Sequence, residues 1–138
     1  MISKDFDVAH IDLMDLKISY PSINELKADV YPFETDEAKT YIDDGRVIFA
    51  CGIKMMKSGV AHCWVIPSIY VYKYGKTFYK EIRFLLEDFC RRRNIHRMQT
   101  TVVEEFVIWI EKLGFEREAV LKQIGSDKSD EYLYRKLY

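Results

Sequence analysis

The stretch VYKYGKTFYKEIRFL, Val71–Leu85, changes its hydrophobic period partway along, and that change decides the fold. Up to Tyr74 the residues follow a run read as a strand. From Gly75 the apolar residues Phe78, Ile82, Leu85, Leu86 and Phe89 recur at helical spacing and fall on one face. The helix closes with Arg91, Arg92, Arg93 and Asn94, cations that complement the negative end of its dipole. A strand that turns at a glycine and enters a helix at a lysine leaves unpaired N–H groups at a positive helix end, which is a ready anion site. The plainer alternative is that Gly75 only permits the turn, while Lys76 and Lys80 are solvated helix residues.

Working outward, KTYIDDGRVIFACGIKM reads as two strands joined across Asp43-Asp44-Gly45, a strong hairpin signal. SGVAHCWVIPSIYV supplies a third strand running on to Val71, with MKSG, 56–59, as the turn before it. Downstream, IHRMQTTVV is a strand, EEFVIWIEKLGF a shorter helix stopped by Gly114, and EREAVLKQIGSDKSDEYLYRKLY a closing hairpin around GSDKSD. Upstream, DFDVAH is a candidate first strand. Ile11, Leu13, Leu16 and Ile18 suit a helix ending before Pro21, and TDEA, 35–38, suits a short helix or turn. The order β, α, β, β, β, α, β, α, β, β implies a mixed sheet with helices packed on it, an α/β domain.

With 138 residues, 49% of them hydrophobic and 31% charged, the chain fits one domain over residues 1–138 with its own core. Its 21 basic and 22 acidic residues nearly cancel, which argues against nucleic acid or an anionic membrane as a partner. No run is long and apolar enough to span a bilayer, and MISKDFDVAH has neither a basic nor an apolar leader region, so the expected location is the cytoplasm. Cys51, Cys63 and Cys90 are an odd number without a CxxC pair and read as buried small hydrophobes. His10, His62 and His96 lack metal-ligand spacing, so no metal is expected. The aromatic and basic run YVYKYGKTFY offers stacking surfaces for single-stranded nucleic acid, but at neutral net charge it reads better as a strand edge.

The order of elements, together with WVIP at 64–67, YGKTFY opening the amphipathic helix and EKLGFE at 111–116, resembles the GCN5-related N-acetyltransferase (GNAT) superfamily over nearly the whole chain. The resemblance implies a mixed, mostly antiparallel central sheet with helices on both faces, and transfer of an acetyl group from acetyl-CoA to an amine of a protein or small molecule. It implies that Tyr74, Gly75, Lys76, Thr77 and Phe78 hold the cofactor's pyrophosphate, and that Val65 and Ile66 lie on the strand that pairs with its pantetheine arm. Those strands should part near Val65 and Thr101, unless Trp64 or Tyr79 fills the gap. The family's phosphate loop begins with Arg or Gln and carries two later small residues; here Tyr74, Thr77 and Tyr79 stand at those places. The family's acid tyrosine, four residues before the glycine of EKLGF, is Ile110, which donates no proton.

Candidate bases are Glu104, with its neighbour Glu105, and His62, and Tyr79, with Tyr72 and Tyr74, is a candidate acid. Each also has a structural reading: Glu104 and Glu105 as acids favoured at a helix start, His62 as a satisfied strand histidine. The loop between Pro67 and Gly75 looks more like acetyltransferase-like proteins of short-tailed bacteriophages, including internal virion proteins. That implies an alternative role as a catalytically silent virion component or host-protein binder. The aromatic closing hairpin DEYLYRKLY is a candidate homodimer interface or an edge strand.

Overall fold

The computed structural model describes residues 1–7, 9–10 and 35–138; the helix expected over Ile11–Ile18 lies outside them. Among the described residues seven strands form a mixed sheet in the order β1-β2-β3-β4-β5-β7-β6. The strands are β1 (Ile2–Asp5), β2 (Glu37–Asp43), β3 (Arg46–Lys57), β4 (Val60–Pro67), β5 (Arg97–Val102), β6 (Glu116–Leu121) and β7 (Glu131–Leu137). The described α-helices are α1 (Gly75–Arg93) and α2 (Val107–Lys112). The chain divides into two compact units, Met1–Lys54 with Cys63–Phe78, and Met55–His62 with Tyr79–Tyr138.

In the first unit β1, β2 and β3 form an antiparallel meander. The first strand sits earlier than DFDVAH suggested, with Asp5 opposite Lys39 and ion-paired to it at 2.6 Å. TDEA opens no helix: Glu37 and Ala38 already pair with Ile53 and Gly52. The Asp44-Gly45 turn has positive φ at both residues, 49° and 71°, whose twist matches the flanking strands. Phe49 is fully buried, stacked on Tyr41 at 4.2 Å between centroids and met edge-on by Phe78 at 5.0 Å. Across the strands the Trp64 indole lies over Gly52, where an added Cβ would come within 2.6 Å of it, and Phe6 meets that indole edge-on at 5.1 Å.

The strand expected to run to Val71, β4, ends at Pro67. Ser68 accounts for the stop: its Oγ donates to the Ile48 carbonyl at 2.8 Å and accepts from the Tyr70 N–H at 3.3 Å, capping a 3₁₀ helix over Ile69–Tyr74. The aromatic run is thus a tight helical connection, not a strand edge.

In the second unit α1 runs on to Arg93, with Ile82, Leu85, Leu86 and Phe89 buried as the periodicity requires. Arg91 and Arg92 both bond Asp88, and Asn94, at φ 52°, takes the left-handed position after the helix. The helix returns the chain to β5, which pairs in parallel with β4, and β5 then pairs antiparallel with β7. Since β7 lies between β5 and β6, the closing DEYLYRKLY strand is interior, and β6 takes the edge. A short 3₁₀ turn, Glu104–Phe106, leads into α2, which Gly114 terminates at φ 90°.

Tyr134 on β7 is fully buried, donates its hydroxyl proton to Glu111 Oε1 at 2.8 Å and accepts from Arg117 Nε at 3.2 Å. Burial, then the bond to Glu111, raises the phenol's pKa above its ordinary value. Tyr134→Phe keeps the ring and removes both bonds, so it is expected to lower the unfolding free energy by about 1 kcal/mol. Urea unfolding with an unchanged m-value checks this; no shift in midpoint would show that the two bonds are matched by water once lost.

Candidate functional site

The expected cofactor-binding residues Val65, Ile66 and Tyr74 to Phe78 all fall in the first unit. The parallel ladder between β4 and β5 consists of Val60↔Arg97, Ala61↔Met98 and His62↔Gln99, and β4 continues for Cys63–Pro67 beyond it. Val65 is half-buried and Ile66 buried, so what this part of the strand can offer a ligand is backbone N–H and C=O. Trp64 is committed to the Gly52 and Phe6 side of the sheet.

Past the Ser68 cap and the 3₁₀ connection, α1 opens at Gly75. Its first turn holds no acidic residue, so its orphan N–H groups and the positive end of a 19-residue helix meet no carboxylate of their own. Lys76 and Thr77 are exposed, and neither has a side-chain hydrogen bond or ion pair among the described residues. Among the described residues, a Cβ added at Gly75 would meet nothing within 4 Å outside its own turn. Phe78 differs: its ring packs in the core against Phe49, which leaves only its backbone N–H for binding. The Tyr74 ring also points away from the turn, donating its hydroxyl to Asp43 Oδ2 at 2.5 Å. That bond holds the Asp43 carboxyl below its ordinary pKa and pushes the phenol above its own.

The three candidate acid–base residues belong to the second unit. His62 is half-buried, and burial lowers its imidazole pKa, leaving at neutral pH the uncharged form that accepts a proton. Tyr79 is half-buried with the Lys112 ammonium 5.6 Å from its ring centre. Glu104 is exposed at the start of the 3₁₀ turn that precedes α2. Ile110 is buried on the inner side of α2, so the position where the resemblance expects an acid is spent on the core.

Two polar residues escaped the sequence reading. Asp43 was hidden inside a turn signal, because DDG is explained by the hairpin alone. Tyr134 was one of ten tyrosines, although alternation in EYLYRKL does place it with Tyr132 and Lys136 on one face. Among the described residues no group of three His, Cys, Asp or Glu side chains is arranged to hold a metal ion, and no helix is long and apolar enough to cross a membrane.

No family model and no curated protein matches the chain in sequence. Solved structures do match in fold. Ard1 from Thermoplasma volcanium superposes with a TM-score of 0.78 at 16% identity, over 99% of this chain and 96% of that one. Ribosomal-protein-alanine N-acetyltransferase from Brucella melitensis gives 0.67 at 13% identity over the whole of both chains. A variant of spermidine N-acetyltransferase from Vibrio cholerae gives 0.67 at 17%, over 99% and 95%. With the strand order, the β4–α1–β5 crossover and the open first turn of α1, these likenesses identify the architecture as the acyl-CoA N-acyltransferase, or GNAT, fold.

Proposed function

We propose that the protein is an acetyl-CoA-dependent N-acetyltransferase of the cytoplasm, acting on an amine of a protein or small molecule. The observation that carries this reading is the first turn of α1, free of acidic residues and bearing a lysine and a threonine whose side chains have no hydrogen bond or ion pair among the described residues. These residues fit a diphosphate: N–H groups converge at a helix N-terminus, and a cation and a hydroxyl stand beside them. Solved structures of the same fold are named as N-acetyltransferases whose acceptors differ, from spermidine to a ribosomal protein's alanine, so the fold supports the amine class and no single acceptor.

On this reading the Gly75–Phe78 backbone, Lys76 and Thr77 hold the pyrophosphate, and the Val65–Ile66 stretch of β4 offers its backbone to the amides of the pantetheine arm. Acetyl-CoA, when bound, supplies an acyl group activated as a thioester. The acceptor's ammonium must lose a proton before its nitrogen can attack, and His62 in its neutral form or the Glu104 carboxylate takes that proton. Tyr79 is the phenol proposed to return a proton to the departing thiolate.

A second reading rests on Ile110. With a buried aliphatic side chain at the acid position, a GNAT fold can be kept as a binding surface, as in a bacteriophage protein that serves in the virion or engages a host protein. Calorimetric titration with acetyl-CoA tests the first reading. Micromolar binding, on the order of −8 kcal/mol, is expected. A ligand at a hundred times its Kd should add about 2.7 kcal/mol of stability, seen as a rise in Tm. No heat and no thermal shift would sink it, and binding without transfer to any amine would favour the second reading.

A further inference from the structure

Resting on the anion-binding reading of α1, we infer that Asp43 and Tyr74 form a brace that positions its first turn, making the β2–β3 hairpin part of the cofactor site. The reason lies in what the turn lacks. Outside its own turn no described atom lies within 4 Å of where a Gly75 Cβ would be, and Lys76 and Thr77 have no side-chain hydrogen bond or ion pair among the described residues. A turn that binds through its backbone must nonetheless be held in place, because N–H groups that wander lose the convergence that makes them a site.

Anchors exist on both sides of it. Behind it, Phe78 is seated in the core against Phe49. Ahead of it, the connection from β4 is tied to the hairpin at three points: Ser68 to the Ile48 carbonyl, the Tyr70 ring beneath the Arg46 guanidinium at 4.8 Å, and Tyr74 to Asp43 at 2.5 Å. The last is the only one immediately adjacent to Gly75. It is a hydroxyl-to-carboxylate bond, a short and strong type. Asp43 Oδ1 also lies 3.4 Å from the Met1 amino group. Tyr74 is therefore a positioning residue: its side chain does not touch the ligand, and it acts by fixing the backbone that does.

Three variants separate the bond from the charge. Tyr74→Phe and Asp43→Ala break the bond, whereas Asp43→Asn keeps an oxygen acceptor for the phenol and removes the negative charge. In the ligand-free protein, backbone 15N order parameters at Gly75 to Phe78 should fall from about 0.85 toward about 0.6 in Tyr74→Phe and Asp43→Ala and stay near wild type in Asp43→Asn. Acetyl-CoA should bind correspondingly weaker to the first two and at least as tightly to Asp43→Asn, which loses a repulsive charge. Unchanged order parameters in Tyr74→Phe, an equal fall across the whole chain, or Asp43→Asn behaving like Asp43→Ala would each overturn the brace. If wild-type protein binds no acetyl-CoA, the cofactor reading falls, and the relaxation measurement still decides the brace by itself.

Discussion

Phe49→Ala is expected to lower the unfolding free energy by about 3–5 kcal/mol, a drop in Tm of roughly 10–20 °C. Phe49 has no exposed surface and is the ring on which two others depend, Tyr41 stacked on it and Phe78 set perpendicular to it. Truncation removes the transfer energy of the ring and both aromatic contacts. It also leaves a cavity that rigid neighbours on β2 and β3 cannot collapse into. Because Phe78 lies in the first turn of α1, the loss should reach the ligand site as well. Phe49→Leu keeps most of the volume and is expected to recover more than half of the stability. Chemical denaturation of the two variants checks the order, and equal losses would show that ring geometry rather than volume sets the cost.

Lys76→Glu is expected to weaken acetyl-CoA binding by about 10- to 100-fold while leaving Tm within a degree or two of wild type. The side chain is exposed and unpaired among the described residues, so its removal breaks nothing in the fold. A carboxylate at that position even favours the helix, since acids are stabilising in a first turn. Ligand binding and stability are thus predicted to move in opposite directions. Titration of variant and wild type at two ionic strengths is decisive, because salt should narrow the gap between them. A variant that binds as wild type does would remove Lys76 from the site.

Much of this was legible because it depends on period and on turn chemistry. The buried stripe Phe78, Ile82, Leu85, Leu86 and Phe89 is where helical spacing places it, and Asp44-Gly45 turns as its composition demands. The strand end at Pro67 was not legible, because Ile69, Tyr70 and Val71 favour a strand and the deciding bond, Ser68 to Ile48, joins residues far apart in sequence. The interior position of β7 was hidden for the same reason: hairpin signals tell which strands are joined, not which neighbour a sheet inserts between. In the site, the glycine and lysine were visible as a strand–turn–helix junction. The partner that fixes Tyr74 was not, since a hydrogen bond spanning 31 residues leaves no local pattern.

The interior position of β7 also governs the order in which this chain can be built. Arg97 pairs with Leu137, so β5 emerges from a ribosome about forty residues before its antiparallel neighbour exists, and β6 likewise appears before the strand it pairs with. During synthesis both therefore present open backbone edges, the state in which strands associate with the wrong chain. Closure of so long a loop delays the pairing further, and folding of this half of the sheet must wait for its final strand.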